Sequence, residues 1–103
     1  MIRHCVFVKF RADVSDNAKQ AIYDKLNGLR KHLSGLVDAS FGANVSPEGR
    51  GRGFEDGFTM DFESAETRDA YLEDPEHRKI GGEMVGLLEG GREEGLMVFD
   101  LEI

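Results

Sequence analysis

His77 is the residue of this chain best placed for acid–base chemistry. It lies in the segment Tyr71-Leu-Glu-Asp-Pro-Glu-His77-Arg-Lys-Ile80-Gly81-Gly-Glu-Met84. Asp74-Pro75 reads as a helix start. Aspartate is a good N-cap, and proline fits the first helical position because its missing N–H had no intrahelical partner. His77 then sits in the first turn, with Ile80, Gly81, Met84 and Leu88 following at helical spacing, so it heads an apolar stripe. A helix N-terminus and partial burial both disfavour imidazolium. A neutral imidazole near neutral pH suits removal of a proton next to a carbonyl. The competing reading is structural: His77 bonds a backbone carbonyl or a strand carboxylate and organises the helix start.

The other polar candidates divide by position. His4 faces inward on a strand, either as a pocket donor or as a satisfied core histidine. His32 lies off the apolar stripe of its helix, near a C-terminus, and reads as surface. The three histidines show no close pairing, so no transition-metal site is expected. Cys5, the single cysteine, excludes an internal disulfide and reads as a small packing residue. Gly49-Arg-Gly-Arg-Gly53 lacks the strand–loop–helix context and the Lys-Ser/Thr of a phosphate loop. It reads as an exposed hairpin connection or lid. Glu89 to Glu94 reads as a solvated turn.

These residues need elements to hold them. Residues 2–10 alternate, with Ile2, His4, Val6, Val8 and Phe10 on one face and Arg3, Cys5, Phe7 and Lys9 on the other. Ser15 caps a helix whose stripe is Ile22, Leu26, Leu29 and Leu33, and Ser34-Gly35 ends it with glycine in the left-handed cap position. Leu36 to Val45 and Phe54 to Phe62 read as strands. Ser64 caps a helix through Leu72; a second helical segment runs from Pro75 to about Glu89, where Gly90-Gly91 stops it. Leu96 to Ile103 is the last strand.

The order is β-α-β-β-α-β in a single domain spanning residues 1–103. It predicts an α+β, ferredoxin-like fold: a four-stranded antiparallel sheet with helices on one face. The other face is read as carrying Cys5, Phe7, Phe41, Thr59, Met97, Phe99 and Leu101. That is too apolar to leave wet on so small a domain, so a homodimer through the open sheet face is expected. At 103 residues the core is modest and a partner subunit adds stability. With Lys+Arg 13 against Asp+Glu 20, the net charge of −7 argues against nucleic acid and anionic membrane as partners. No signal peptide or membrane span is read, and a cytoplasmic location is the default.

The chain resembles the stress-responsive dimeric α+β barrel family, Dabb. The likeness rests on Arg3-His4-Cys-Val-Phe-Val-Lys-Phe10, Gly42-Ala-Asn-Val-Ser46, Gly53-Phe-Glu-Asp-Gly-Phe58, Asp69-Ala-Tyr71 through Pro75-Glu-His77, and Val98-Phe99-Asp100, and it covers essentially the whole sequence. A more distant similarity is to the olivetolic acid cyclase-type polyketide cyclases, which use a tyrosine and a histidine for an aldol condensation without cofactor. The resemblance puts those two at Tyr71 and His77, with the tyrosine hydroxyl donating to the enolate oxygen. Read alone, Tyr71 is a core edge at a helix end. The resemblance also implies a substrate pocket between helices and sheet. Its walls would be His4, Val6, Val8, Ile22, Tyr23, Leu26, Phe58, Met60, Ile80, Leu96 and Val98. The chain departs from the cyclase pattern at Asp56, which replaces a pocket histidine, and at Leu26 and Ile80, which replace rings. A carboxylate at Asp56 is expected to charge the cavity mouth negatively and to repel anionic substrates.

Two functions remain open on the sequence. One is a cofactor-independent cyclase or lyase acting on a small carbonyl or polyketide-like compound through His77 and Tyr71. The other is a non-catalytic, stress-related or small-ligand-binding homodimer. The wider superfamily adds quinone-forming monooxygenases as a weaker third option. No cofactor is expected; a hard cation held by loop oxygens stays open.

Overall fold

Alternation in the strands and stripes in the helices build one sheet with its helices on a single face. The computed structural model describes all residues, Met1–Ile103. Its elements are β1 (Ile2–Val8), α1 (Asp16–Gly28) continued by a 3₁₀ turn (Leu29–Lys31), β2 (Leu36–Ala43), β3 (Asp56–Phe62), α2 (Ala65–Glu73), α3 (Pro75–Val85), the short α4 (Gly91–Gly95) and β4 (Leu96–Glu102). The sheet is antiparallel with strand order β2-β3-β1-β4. This is the ferredoxin-like α+β arrangement that the element order predicts.

The caps form as the residue types dictate. Ser15 accepts from the Ala18 N–H at 3.1 Å, and Ser64 and Thr67 form a reciprocal capping box. The helices then bury the inward face of β1 and β3. Val8, Met60 and Phe62 are fully buried, with Leu26 and Leu29 of the first helical stripe packed on them.

Five details differ from the sequence reading. Phe41 belongs to the helix-covered face: it sits across from Phe58 and packs on Tyr23. β2 stops at Ala43 and β3 starts at Asp56; Phe54 lies outside the strand, with the Lys9 ammonium 4.7 Å from its ring centre. Gly35 is not left-handed; it is glycine because any Cβ there would collide with Thr67. α3 ends at Val85, short of Glu89. The segment after it is no free turn. It is stitched to the end of β1 by Arg11 N–H to Leu87 O (3.0 Å), Glu89 N–H to Lys9 O (2.8 Å) and Lys9 N–H to Gly95 O (2.9 Å). Gly90 and Gly91, both left-handed, reverse the chain into α4.

The two faces of β4 are left uncovered for different reasons. On the outer face Met97, Phe99 and Leu101 are 45%, 57% and 46% exposed, since no element of the chain crosses that side. On the inner face Val98 is 52% exposed although it pairs with the buried Val6. The helices cover the middle of the sheet and stop short of this edge. The gap between α3 and β4 is a cavity.

Candidate active site

The α2–α3 corner sets the position of His77. Asp74 ends α2 in an extended conformation, Pro75 follows, and the Asp74 carboxylate accepts the His77 N–H at 2.9 Å. The same carboxylate contacts His32 Nε2 at 3.1 Å, so His32, half exposed as expected for a surface residue, ties the 3₁₀ turn to the corner. The His77 N–H first, and His32 to a lesser degree, hold Asp74 below the usual carboxylate range against the opposing effect of burial.

Chain reversal at this corner stacks His77 on Tyr71, with ring centres 3.8 Å apart and planes 31° apart. Tyr71 is fully buried, and its hydroxyl and His77 Nδ1 have no hydrogen-bond partner. Burial pushes the Tyr71 phenol well above its ordinary value. Burial is also the main reason that His77 is held below its ordinary 6.5; the neighbouring His4 adds to this, while the Tyr71 carbonyl and Asp74 oppose it. His77 is therefore a neutral imidazole at pH 7.

His4 completes the group from β1. It is buried, edge-on to Tyr71 at 5.8 Å, and its Nδ1 lies 2.7 Å from Asp100 Oδ1. Register makes this bond: His4 and Asp100 are direct partners across β1 and β4. Asp100 also accepts from Arg68 at 2.6 Å, and Arg68 reaches Asp69 at 2.9 Å. Burial raises Asp100, but the bonds from His4 and Arg68 together outweigh it and keep the carboxyl ionised. An ionised carboxylate only accepts, so His4 Nδ1 is the donor in this bond. His4 is thus both a satisfied histidine and part of a cavity wall.

The cavity beside these groups has a volume of about 500 Å³, in the range of small-molecule sites. Of the expected wall residues, His4, Val6, Leu26, Phe58, Leu96 and Val98 line it together with Tyr71 and His77. Val8, Ile22, Tyr23, Met60 and Ile80 do not; they are buried in the core behind it. Asp56 is a clear correction. It pairs with Val8 at the far end of β3, and its carboxylate takes the Lys19 ammonium at 3.2 Å. It neither reaches the cavity nor charges its mouth. Residues that sequence reasoning missed are Leu72, Gly81, Met84 and Val85, and two arginines, Arg78 and Arg92. Asp100 and Arg68 were missed too, although Asp100 shares the inward alternation of Leu96 and Val98.

A second hollow, of about 520 Å³, lies on the outer sheet face among Phe7, Gly57, Thr59 and Met97, under Arg50 and Arg52 of the glycine-rich loop. It brings no histidine or tyrosine together. No group of three or more His, Cys, Asp or Glu side chains is arranged to hold a metal ion, and no helix is long and apolar enough to cross a membrane.

A ferredoxin-like α+β unit with a cavity between its helices and a sheet edge defines the class. The chain belongs to the stress responsive A/B barrel domain family, Dabb, whose model matches residues 2–103. Among solved structures it is similar to a dimeric ferredoxin-like protein of unknown function from Jannaschia sp. CCS1, at 27% identity and a TM-score of 0.89, over 99% of this chain and 98% of that one. A protein from Arabidopsis thaliana aligns at 21% identity and a TM-score of 0.88, over 100% and 95% of the two chains. The hydroxynitrile lyase of Passiflora edulis aligns at 19% identity and a TM-score of 0.84, over 99% and 92%. At these last two identities the likeness is one of fold. No curated protein matches the chain by sequence.

Proposed function

We propose that this Dabb protein is a cofactor-independent enzyme that moves a proton next to the carbonyl of a small compound, as a cyclase or lyase. One observation carries the reading: the Tyr71 hydroxyl and His77 Nδ1, both unpartnered, sit beside one cavity with a second imidazole, His4, on its wall. An unpartnered buried polar atom costs about 1–3 kcal/mol, and such groups call for an explanation. In this reading the neutral His77 takes the proton, Tyr71 donates to the oxygen that gains charge, and His4, held by Asp100, accepts or returns a proton at Nε2. The hydroxynitrile lyase neighbour is compatible with such chemistry in this fold. The chain works as a homodimer through its outer sheet face, a reading supported by the exposed Met97, Phe99 and Leu101 and by dimeric neighbours.

One observation favours the non-catalytic alternative. Tyr71 has no exposed surface, so its hydroxyl meets a substrate only after the ring leaves its stack on His77. A ligand-binding homodimer needs no such movement.

Deuterium exchange at the carbon beside the carbonyl, followed by NMR over a panel of small ketones and 2-oxo acids, separates the two. Wild-type protein should accelerate exchange for some member of the panel. His77→Ala should remove about 10²–10⁴ of that acceleration while the melting temperature moves by only a few degrees. Unaccelerated exchange across the panel, or equal rates in the variant, favours the non-catalytic homodimer. A monomer by light scattering at micromolar concentration would sink the dimer reading.

A further inference from the structure

The charge around the cavity runs against the charge of the chain. Acidic residues outnumber basic ones by 20 to 13, yet no aspartate or glutamate lines the cavity, whereas Arg78 and Arg92 do. Both are exposed at its mouth. Arg92 makes no ion pair or hydrogen bond within the chain, and Arg78 spends only its Nε, on the Leu72 carbonyl at 3.2 Å. On α4, the side chain of Glu94 packs against Gly90. Deeper in, the walls are apolar: Val6, Leu26, Phe58 and Met84. We infer that the cavity takes a small amphipathic anion, its carboxylate on Arg92 and Arg78 and its apolar body along Val6, Leu26, Phe58 and Met84.

Two physical points support this ligand class. Guanidinium presents paired N–H donors that match a carboxylate, and the free fork of Arg92 has nothing else to bind. At physiological salt the Debye length is about 8 Å, so carboxylates farther than that from the mouth are largely screened, and no acid lines the cavity itself. The inference rests on the proposal that this cavity, not the hollow on the outer face, is the functional site. It names the substrate class for that site: a carbonyl compound that also carries an acid group, whose anchoring would hold the reacting carbon near His77.

Binding can be tested apart from turnover, by NMR titration of the intact ¹⁵N-labelled protein with octanoate, octan-1-ol and octylamine. Octanoate should perturb the amides of Gly81, Arg92 and Val98 and bind at least about fivefold tighter than the alcohol. Hexanoate should bind about two- to fourfold more weakly per methylene lost. R92Q and R78Q should each lower the preference for octanoate about threefold, and the double variant should remove it, with alcohol binding unchanged; R92K should recover part of the loss. Equal binding of acid and alcohol, a preference for the amine, absence of octanoate binding, or shifts confined to Phe7 and Met97 would overturn the inference. If wild type binds octanoate through Arg92 but catalyses no exchange, the enzymatic reading fails and this one stands.

Discussion

Two tyrosines at opposite ends of the helix-covered face make an instructive pair. Tyr23 and Tyr71 are both buried, both lack a partner for the hydroxyl, and both phenols are pushed well above 10.0 by burial. Their surroundings differ. Tyr23 is caged by Phe10, Phe41 and Phe58, with ring centres 5.0–6.2 Å away, and lines no cavity. Tyr71 lies against His77 and His4 on the wall of a cavity with arginines at its mouth. An unpartnered hydroxyl is therefore not by itself a sign of function. What distinguishes the Tyr71 end is that it gathers titratable groups, held by a chain of carboxylate bonds, around open space.

Removing the carboxylates that organise each end should show the largest contrast. Asp100→Ala leaves His4 Nδ1 without its acceptor and leaves Arg68 with Asp69 alone. It should cost about 2 kcal/mol, roughly 8–16 °C in melting temperature. Asp56→Ala at the Tyr23 end breaks only the bond to Lys19 and should cost less than about 1 kcal/mol. Equal losses in thermal or denaturant melts would erase the difference between the ends.

A smaller contrast is expected with pH. The folded-state value of His77 is depressed below 6.5, so the unfolded chain binds more protons just below that pH. Stability from this group is full above 6.5 and is lost as pH falls through the folded value. The depressed carboxylates Asp61, Asp74 and Asp100 act separately, below 3.8. Melting temperatures of wild type and His77→Gln should diverge in slope between 6.5 and the carboxylate range. Parallel curves would mean that His77 is as easily protonated folded as unfolded.

The smallest effects concern the two hydroxyls. Tyr23→Phe and Tyr71→Phe each delete a buried group with no partner, so each should be neutral or stabilising by up to about 1 kcal/mol. Only Tyr71→Phe should also lower exchange activity. A destabilisation above 1 kcal/mol in chemical denaturation at either position would reveal a partner for that hydroxyl.

Local chemistry made much of this molecule legible in one dimension. Ser15, Ser64 and Asp74-Pro75 start helices wherever they stand, because a cap acts on N–H groups two or three residues away. Alternation in β1 and the stripe of Ile22, Leu26 and Leu29 fixed which faces turn inward, and so the fold class and the position of His77 at a helix start. The site depends on contacts that sequence proximity does not encode. His4 meets Asp100 across 96 residues only because β1 and β4 pair in that register. Register likewise carries Asp56 to the far end of the sheet and turns Phe41 inward. Arg92 reaches the cavity because the chain after α3 is stitched to the end of β1 and reversed by two left-handed glycines. Periodicity sets a side chain's face, but the mutual distance of side chains from separate elements is set by pairing and packing. The candidate base and the inward position of His4 were therefore readable from the chain, whereas the bond of His4 to Asp100, the cavity's actual walls and its cationic mouth required the tertiary structure.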